Sequence, residues 1–177
     1  MQKVCNVWTR SDHCKFFRTQ LVPFLKAFPS IPKDLNITYH PFSYGSKRIN
    51  GSIVADCANG ALECELCKLQ SCSKKYFQNA NSTALLSLAS CLQDQRSVDN
   101  AKNCLPNGKT GDLIADCASS IEGDTLFLAE PFPPGVDSIS LPWIVINGEH
   151  VAEAYYNFRK FICQLESAKR DKRCLRK

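Results

Sequence analysis

Eleven cysteines run from Cys5 to Cys174 in a chain of 177 residues. No other feature restricts the fold as much. In a cytosolic protein that density signals metal sites or catalysis; in a secreted one it signals disulfides. Three N-glycosylation sequons, at Asn36, Asn50 and Asn81, favour the secreted reading. The opening MQKVCNVWTR holds no apolar stretch of signal-peptide type, so a signal peptide is expected to have been removed. The C-terminus carries no KDEL-type retention signal. The expected location is extracellular, with the lysosome as second choice. Because the cysteine count is odd, at least one thiol has no intramolecular bridge. The other ten allow about 945 pairings, and spacing does not choose among them.

The chain is long enough for one domain with a real core, and 44% of its residues are hydrophobic. No apolar run approaches the ~20 residues of a membrane span, so no transmembrane segment is expected. The formal net charge is +5. Residues 168–177 (AKRDKRCLRK) carry six basic groups against Asp171, which is the whole excess; the rest of the chain holds 16 groups of each sign. That distribution argues against nucleic acid. The tail reads as a solvated, partly disordered end, or as a patch for an acidic glycan or anionic surface.

Residues 3–9 alternate loosely and predict a strand. Residues 14–28 place Phe17, Leu21, Phe24, Leu25 and Phe28 on one helical face, with Pro23 expected to kink the helix. Residues 35–39 predict a second strand, with Leu35, Ile37 and Tyr39 inward. Such a β-α-β opening forms two parallel strands. The stretch from about 46 to 130 reads as a disulfide-tied, mostly helical insertion, its best helix at 82–93. Trp143 to Ile146 predicts a buried strand, Asn147-Gly148 a type I′ turn, and 153–167 a helix with Tyr155, Phe158, Ile162 and Leu165 on one face. The order β-α-β, insertion, β-β-α is a thioredoxin-like pattern. One α/β domain over 1–177 is expected, with the insertion at about 46–130 and the basic tail at about 168–177.

In such a fold the reactive thiol sits where the first strand meets the first helix, because the helix N-terminus favours a thiolate. A second cysteine three residues on resolves the mixed disulfide. Here that junction reads Ser11-Asp12-His13-Cys14. A serine hydroxyl stays protonated without a base and forms no disulfide, so a two-thiol cycle cannot run there. Ser11 serves equally as a helix N-cap. Cys14 is either buried and inert or a slow one-thiol site, with Asp12 and His13 able to tune it. Leu141-Pro142 is the other half of such a site, where a cis proline would face the cysteine pair and peptides would dock.

The segment Cys57-Ala58-Asn59-Gly60-Ala61-Leu62-Glu63-Cys64-Glu65-Leu66-Cys67, continued to Cys72, resembles the signature of the gamma-interferon-inducible lysosomal thiol reductase (GILT) family. Cys57, Gly60, Glu63, Cys64 and Cys72 match in register, whereas Ala58, Asn59 and Cys67 replace the family's Gln, His and Asn. The later stretches 141–148 and 161–165 also match. An invertebrate, mosquito-type member is the expected kind. The resemblance implies a thioredoxin-like fold with a helical insertion, glycosylation, secretion or lysosomal delivery, and reduction of protein disulfides at acidic pH. It places the catalytic pair on Ser11 and Cys14, so no catalytic residue is assigned. Cys57, Cys64, Cys72, Cys91, Cys104, Cys117 and Cys163 are expected to be structural. Cys5, Cys67 and Cys174 lie outside the family pattern.

Cys64-Glu65-Leu66-Cys67 is a rival redox motif, and Cys57, Cys64, Cys67 and Cys72 are a conceivable zinc set. The orphan thiol is Cys14 or, if the tail is mobile, Cys174, which could then join two chains. The expected function is that of a secreted GILT-like protein that has lost reductase chemistry and binds a protein partner or cell surface. The alternative is an active oxidoreductase working through Cys14 alone or Cys64/Cys67. No cofactor or metal is expected.

Overall fold

The computed structural model describes residues 15–30, 37–41, 46–49, 52–57, 60–77, 82–130 and 144–175. The strand expected at 3–9 lies outside them. Lys15 and Phe16 open a helix whose next residues, Phe17–Leu21, wind as a π-helix. The cause stands two residues on. Pro23 has no N–H, and its ring crowds the carbonyl four residues back, so a regular α-helix cannot run through it undisturbed. A wider turn, with the Val22 N–H bonded to Phe17 O, carries the chain past this point. Helix α1 (Val22–Ala27) follows, with Pro23 in its first turn. The kink expected at Pro23 is thus a π-turn placed ahead of it.

Two antiparallel hairpins supply the strands among the described residues: β1 (Ser46–Ile49) with β2 (Ser52–Ala55), and β3 (Val145–Ile146) with β4 (Glu149–His150). In the second, Ile146 faces Glu149, so Asn147-Gly148 is the two-residue turn. Both turn residues have positive φ, 53° and 87°, as a type I′ turn demands. Val145 is half exposed, so β3 is not the buried strand expected from its sequence. Ile37–Tyr39 form no strand either. The alternation survives without the ladder: Ile37 and Tyr39 are half-buried while Thr38 and His40 are exposed. The β1–β2 hairpin occupies the start of the segment expected to be mostly helical.

The remainder of that segment is helical. Helix α2 (Ala61–Tyr76) is its hub, followed by α3 (Ser82–Gln93), α4 (Val98–Lys102), α5 (Lys109–Ala118) and α6 (Ile121–Leu128). From Leu66 to Ser73 every residue of α2 is buried, so this helix is enclosed and has no solvated face along that run. Glu63 lies in its first turn and Lys74 and Lys75 in its last, complementing the helix dipole. The short helices α4 and α6 are capped by Ser97 and Ser120, whose hydroxyls accept from Asn100 N and Glu122 N. Helix α7 (Ala154–Gln164) and the terminal turn α8 (Lys172–Leu175) close the chain.

The two larger hydrophobic cores among the described residues lie on either side of α3. On one side Leu86 and Ala89 join Phe16, Phe17, Leu21, Phe24, Leu25, Phe28, Phe158 and Ile162. On the other, Leu88 and Leu92 join Leu66, Leu69, Ala101, Ile114 and the Cys72 and Cys117 sulfurs. The basic tail departs from the solvated end expected of it. Ala168 is fully buried in the aromatic core, and Cys174 is bridged to Cys163. The Arg173 guanidinium lies 4.6 Å from the Phe28 ring centre and donates to Ser30 O at 2.8 Å.

Candidate functional site

The residues expected to form the redox centre, Ser11, Asp12, His13, Cys14 and Pro142, lie outside the described residues, as do Asn36, Asn50 and Asn81. The chain directly after Cys14 and shortly after Pro142 is placed, and it converges. The Phe16 ring stacks on Tyr155 at 6.1 Å and meets Phe158 edge-on at 5.5 Å. Lys15 Nζ stands 6.0 Å above the Tyr155 ring. From the other side Ile144 joins the same aromatic core, and its carbonyl accepts from Val151 N at 2.9 Å. Helix α7 carries the platform. Its backbone breaks at Asn157 (φ −139°, ψ 41°), and the Phe158 N–H turns to Gln20 Oε1 at 3.2 Å. One side chain of the π-helix therefore satisfies the donor at the kink.

The signature segment is a tied turn into α2. Cys57 is bridged to Cys64, seven residues on, and Cys57 O accepts from Gly60 N at 3.1 Å. Gly60 adopts φ 86°, ψ −176°, a conformation open essentially to glycine alone. That accounts for the fixed spacing of Cys57, Gly60 and Cys64. Farther along α2, Cys72 reaches Cys117 of α5, and Cys91 of α3 is bridged to Cys104 beyond α4. The seven cysteines expected to be structural all lie in bridges. The eighth bridged cysteine among the described residues is Cys174, which removes it as the orphan and as a link between chains through that sulfur. Cys67 is a buried thiol. Since Cys57, Cys64 and Cys72 are oxidised, the zinc set with Cys67 is not formed, and among the described residues no group of three metal-binding side chains occurs.

Sequence reasoning missed a polar cluster between the cores. Tyr39 donates its hydroxyl to Gln70 Oε1, and Gln93 Nε2 approaches the same hydroxyl at 3.3 Å. Burial of the phenol end pushes its pKa well up, and the nearby Cys67 sulfur and Glu130 carboxylate add to the rise. The phenol is therefore a neutral donor throughout the accessible pH range. Gln70 Nε2, also buried, finds no partner among the described residues. Next to this cluster Lys74 Nζ holds both Glu130 oxygens at 2.6 Å, and His40 Nδ1 lies 2.9 Å from Glu130 Oε2. A lone glutamine in a helix carries no pattern that announces such a cluster. The inward phase of Tyr39 was the available signal.

The described residues define an α/β protein that is mostly helical, with two short hairpins and four disulfides. The family model for gamma interferon inducible lysosomal thiol reductase matches residues 7–108, and the chain belongs to that family. The architecture is accordingly thioredoxin-like with a helical insertion, and the family's setting is secreted or lysosomal. The chain is similar to the GILT-like protein ZK669.3 of Caenorhabditis elegans, 26% identical over 86% of this chain and 73% of that protein. It is similar to the GILT-like protein C02D5.2 of the same organism, 26% identical over 86% of this chain but only 48% of that one. A Caenorhabditis briggsae relative, GILT-like protein CBG03282, is 26% identical over 73% of this chain and 62% of its own. The chain thus spans about half to three quarters of the length of these relatives.

Proposed function

We propose that this chain is a GILT-family protein without thiol reductase chemistry, acting outside the cell, or secondarily in the lysosome, by binding a protein partner or cell surface. The allocation of its cysteines carries this reading. The family's nucleophile position holds Ser11, and the sequence contains one Cys-x-x-Cys motif, Cys64 to Cys67, in which Cys64 is already bridged to Cys57. Neither place presents a ready dithiol, and a reductase cycle needs one.

Reduction of a model protein disulfide, from acidic to neutral pH, tests this in the parent and in Ser11→Cys. The expected result is no turnover in the parent and turnover in the variant. Turnover in the parent that disappears in Cys14→Ala overturns the proposal in favour of one-thiol chemistry.

An acidic glycan remains a candidate ligand for the tail. Arg170 and Lys172 are exposed, whereas Arg173 is engaged by Asp171, Ser30 and Phe28. Deleting residues 168–177 would also break the Cys163–Cys174 bridge. Arg170→Glu with Lys172→Glu is the cleaner variant, and binding to a sulfated glycan should fall in it and in raised salt.

A further inference from the structure

Cys57, Cys64 and Cys67 form one small buried cluster with Phe127 of α6. Two of the sulfurs share a disulfide and the third is a thiol. We propose that this cluster is a thiol–disulfide exchange site, in which Cys64 can be bridged either to Cys57 or to Cys67.

The geometry supports both pairings. Cys57 and Cys64 have their Cα atoms 5.4 Å apart. Cys64 and Cys67 stand at i and i+3 of α2, where helix geometry sets Cα atoms about 5 Å apart and side chains on one face. Both separations lie within the range a disulfide spans. In the exchange the Cys67 thiol loses its proton and its sulfur bonds to Cys64 Sγ. The Cys57–Cys64 bond breaks, and Cys57 leaves as a thiolate that takes up a proton. No electron enters or leaves, so no outside oxidant or reductant is required.

The two states differ in what they hold. With Cys57 bridged, the link from β2 is tied to the first turns of α2. With Cys67 bridged, the tie lies wholly within α2, the link is released, and the thiol has moved from the helix interior to the segment ahead of it. The exchange uses no residue of the Ser11 to Cys14 stretch and does not depend on the chemistry there. Phe127 is the cover. A buried thiol reacts slowly because the thiolate is disfavoured there, so exchange depends on local opening of α6 over α2.

The test is cysteine mapping of the full chain. Protein is held at mildly alkaline pH, quenched in acid at intervals, unfolded, alkylated without reduction, digested and sequenced by mass spectrometry. The expected result is a growing species with Cys57 alkylated and Cys64 joined to Cys67, while Cys72–Cys117 stays intact. Phe127→Ala should speed its appearance several-fold, and Cys67→Ser should abolish it. The proposal is overturned if Cys67 is the alkylated residue at every time in both the parent and Phe127→Ala. It is equally overturned if the new pairing appears only together with exchange at Cys72 and Cys117, since that is general scrambling. If Cys67→Ser does not fold, the parent and Phe127→Ala maps decide.

Discussion

The two cores on either side of α3 are held by different means. The first is aromatic: Phe24 stacks on Phe28 at 4.7 Å and meets Phe158 edge-on at 5.2 Å, while Phe17 meets Tyr39 edge-on at 6.0 Å. Large rings bury much area per residue, and among the described residues the region holds one bridge, Cys163–Cys174, which secures its tail. The second core is aliphatic and joins α2 and α3 to shorter helices, α4 of five residues and α5 of ten. Helices of that length do not persist alone. Bridges between residues 45 and 13 apart in sequence hold α2 to α5 and α3 to the end of α4, limiting what the unfolded chain can explore. Covalent ties thus stand where apolar burial per residue is small.

The largest effect is expected from Phe24→Ala. A fully buried ring with two aromatic neighbours leaves a cavity, and the loss should be about 3–5 kcal/mol by chemical denaturation. A loss of under about 1 kcal/mol would mean that the rings are not what holds the first core. Next is the double change Cys72→Ala with Cys117→Ala. Loop-closure entropy predicts a loss of about 4 kcal/mol, against about 3 kcal/mol for the Cys91 and Cys104 pair. Equal losses in denaturant would show that loop length does not set the contribution.

The junction between the cores should respond less. Tyr39→Phe leaves Gln70 Oε1 buried without its donor, at a cost of about 1–2 kcal/mol. A neutral outcome would mean that Gln93 takes over the bond. The smallest effect concerns the tail. The Arg173 side chain and backbone N–H beside Asp171 hold its carboxyl down at about 2. The unfolded value is about 3.9, so this contribution is complete above that pH and is lost as pH falls through about 2. Thermal midpoints of the parent and Asp171→Asn should differ at neutral pH and converge in strong acid.

Much of this was legible beforehand. Phe17, Leu21, Phe24, Leu25 and Phe28 are all buried, as their spacing predicts, because an amphipathic helix must turn that face inward. The helix at Ser82–Gln93 also lies where its sequence puts it. Asn-Gly occurs four times, and two of the cases, at 147–148 and 50–51, diverged. At 147–148 it was read as a turn. At 50–51 it was read only as part of a sequon, although Ile49 faces Ser52 across a hairpin. The flanking strands, SKRI and SIVA, are short and do not alternate strictly, so periodicity gave no warning there. The tail was misread for another reason. Charge density suggests a solvated end, but one cysteine and one buried alanine suffice to dock it, and neither stands out among six basic residues. The candidate redox centre was readable only as chemistry, from Ser11 and Cys14. The aromatic cluster that follows it in sequence depends on contacts between residues 15–20 and 144–158, and no local pattern encodes contacts over that distance.

The Cys163–Cys174 bridge has a consequence for how this protein ages among proteases. Lys169, Arg170, Lys172 and Arg173 all fall inside the loop that it closes. A trypsin-like cut after any of them nicks the chain and releases nothing, because the C-terminal fragment stays attached through sulfur. Clipped and whole molecules then have nearly the same mass and charge until a reductant separates them. The truncated form would first appear where thiols are abundant, so the chain records proteolysis in one compartment and discloses it in another.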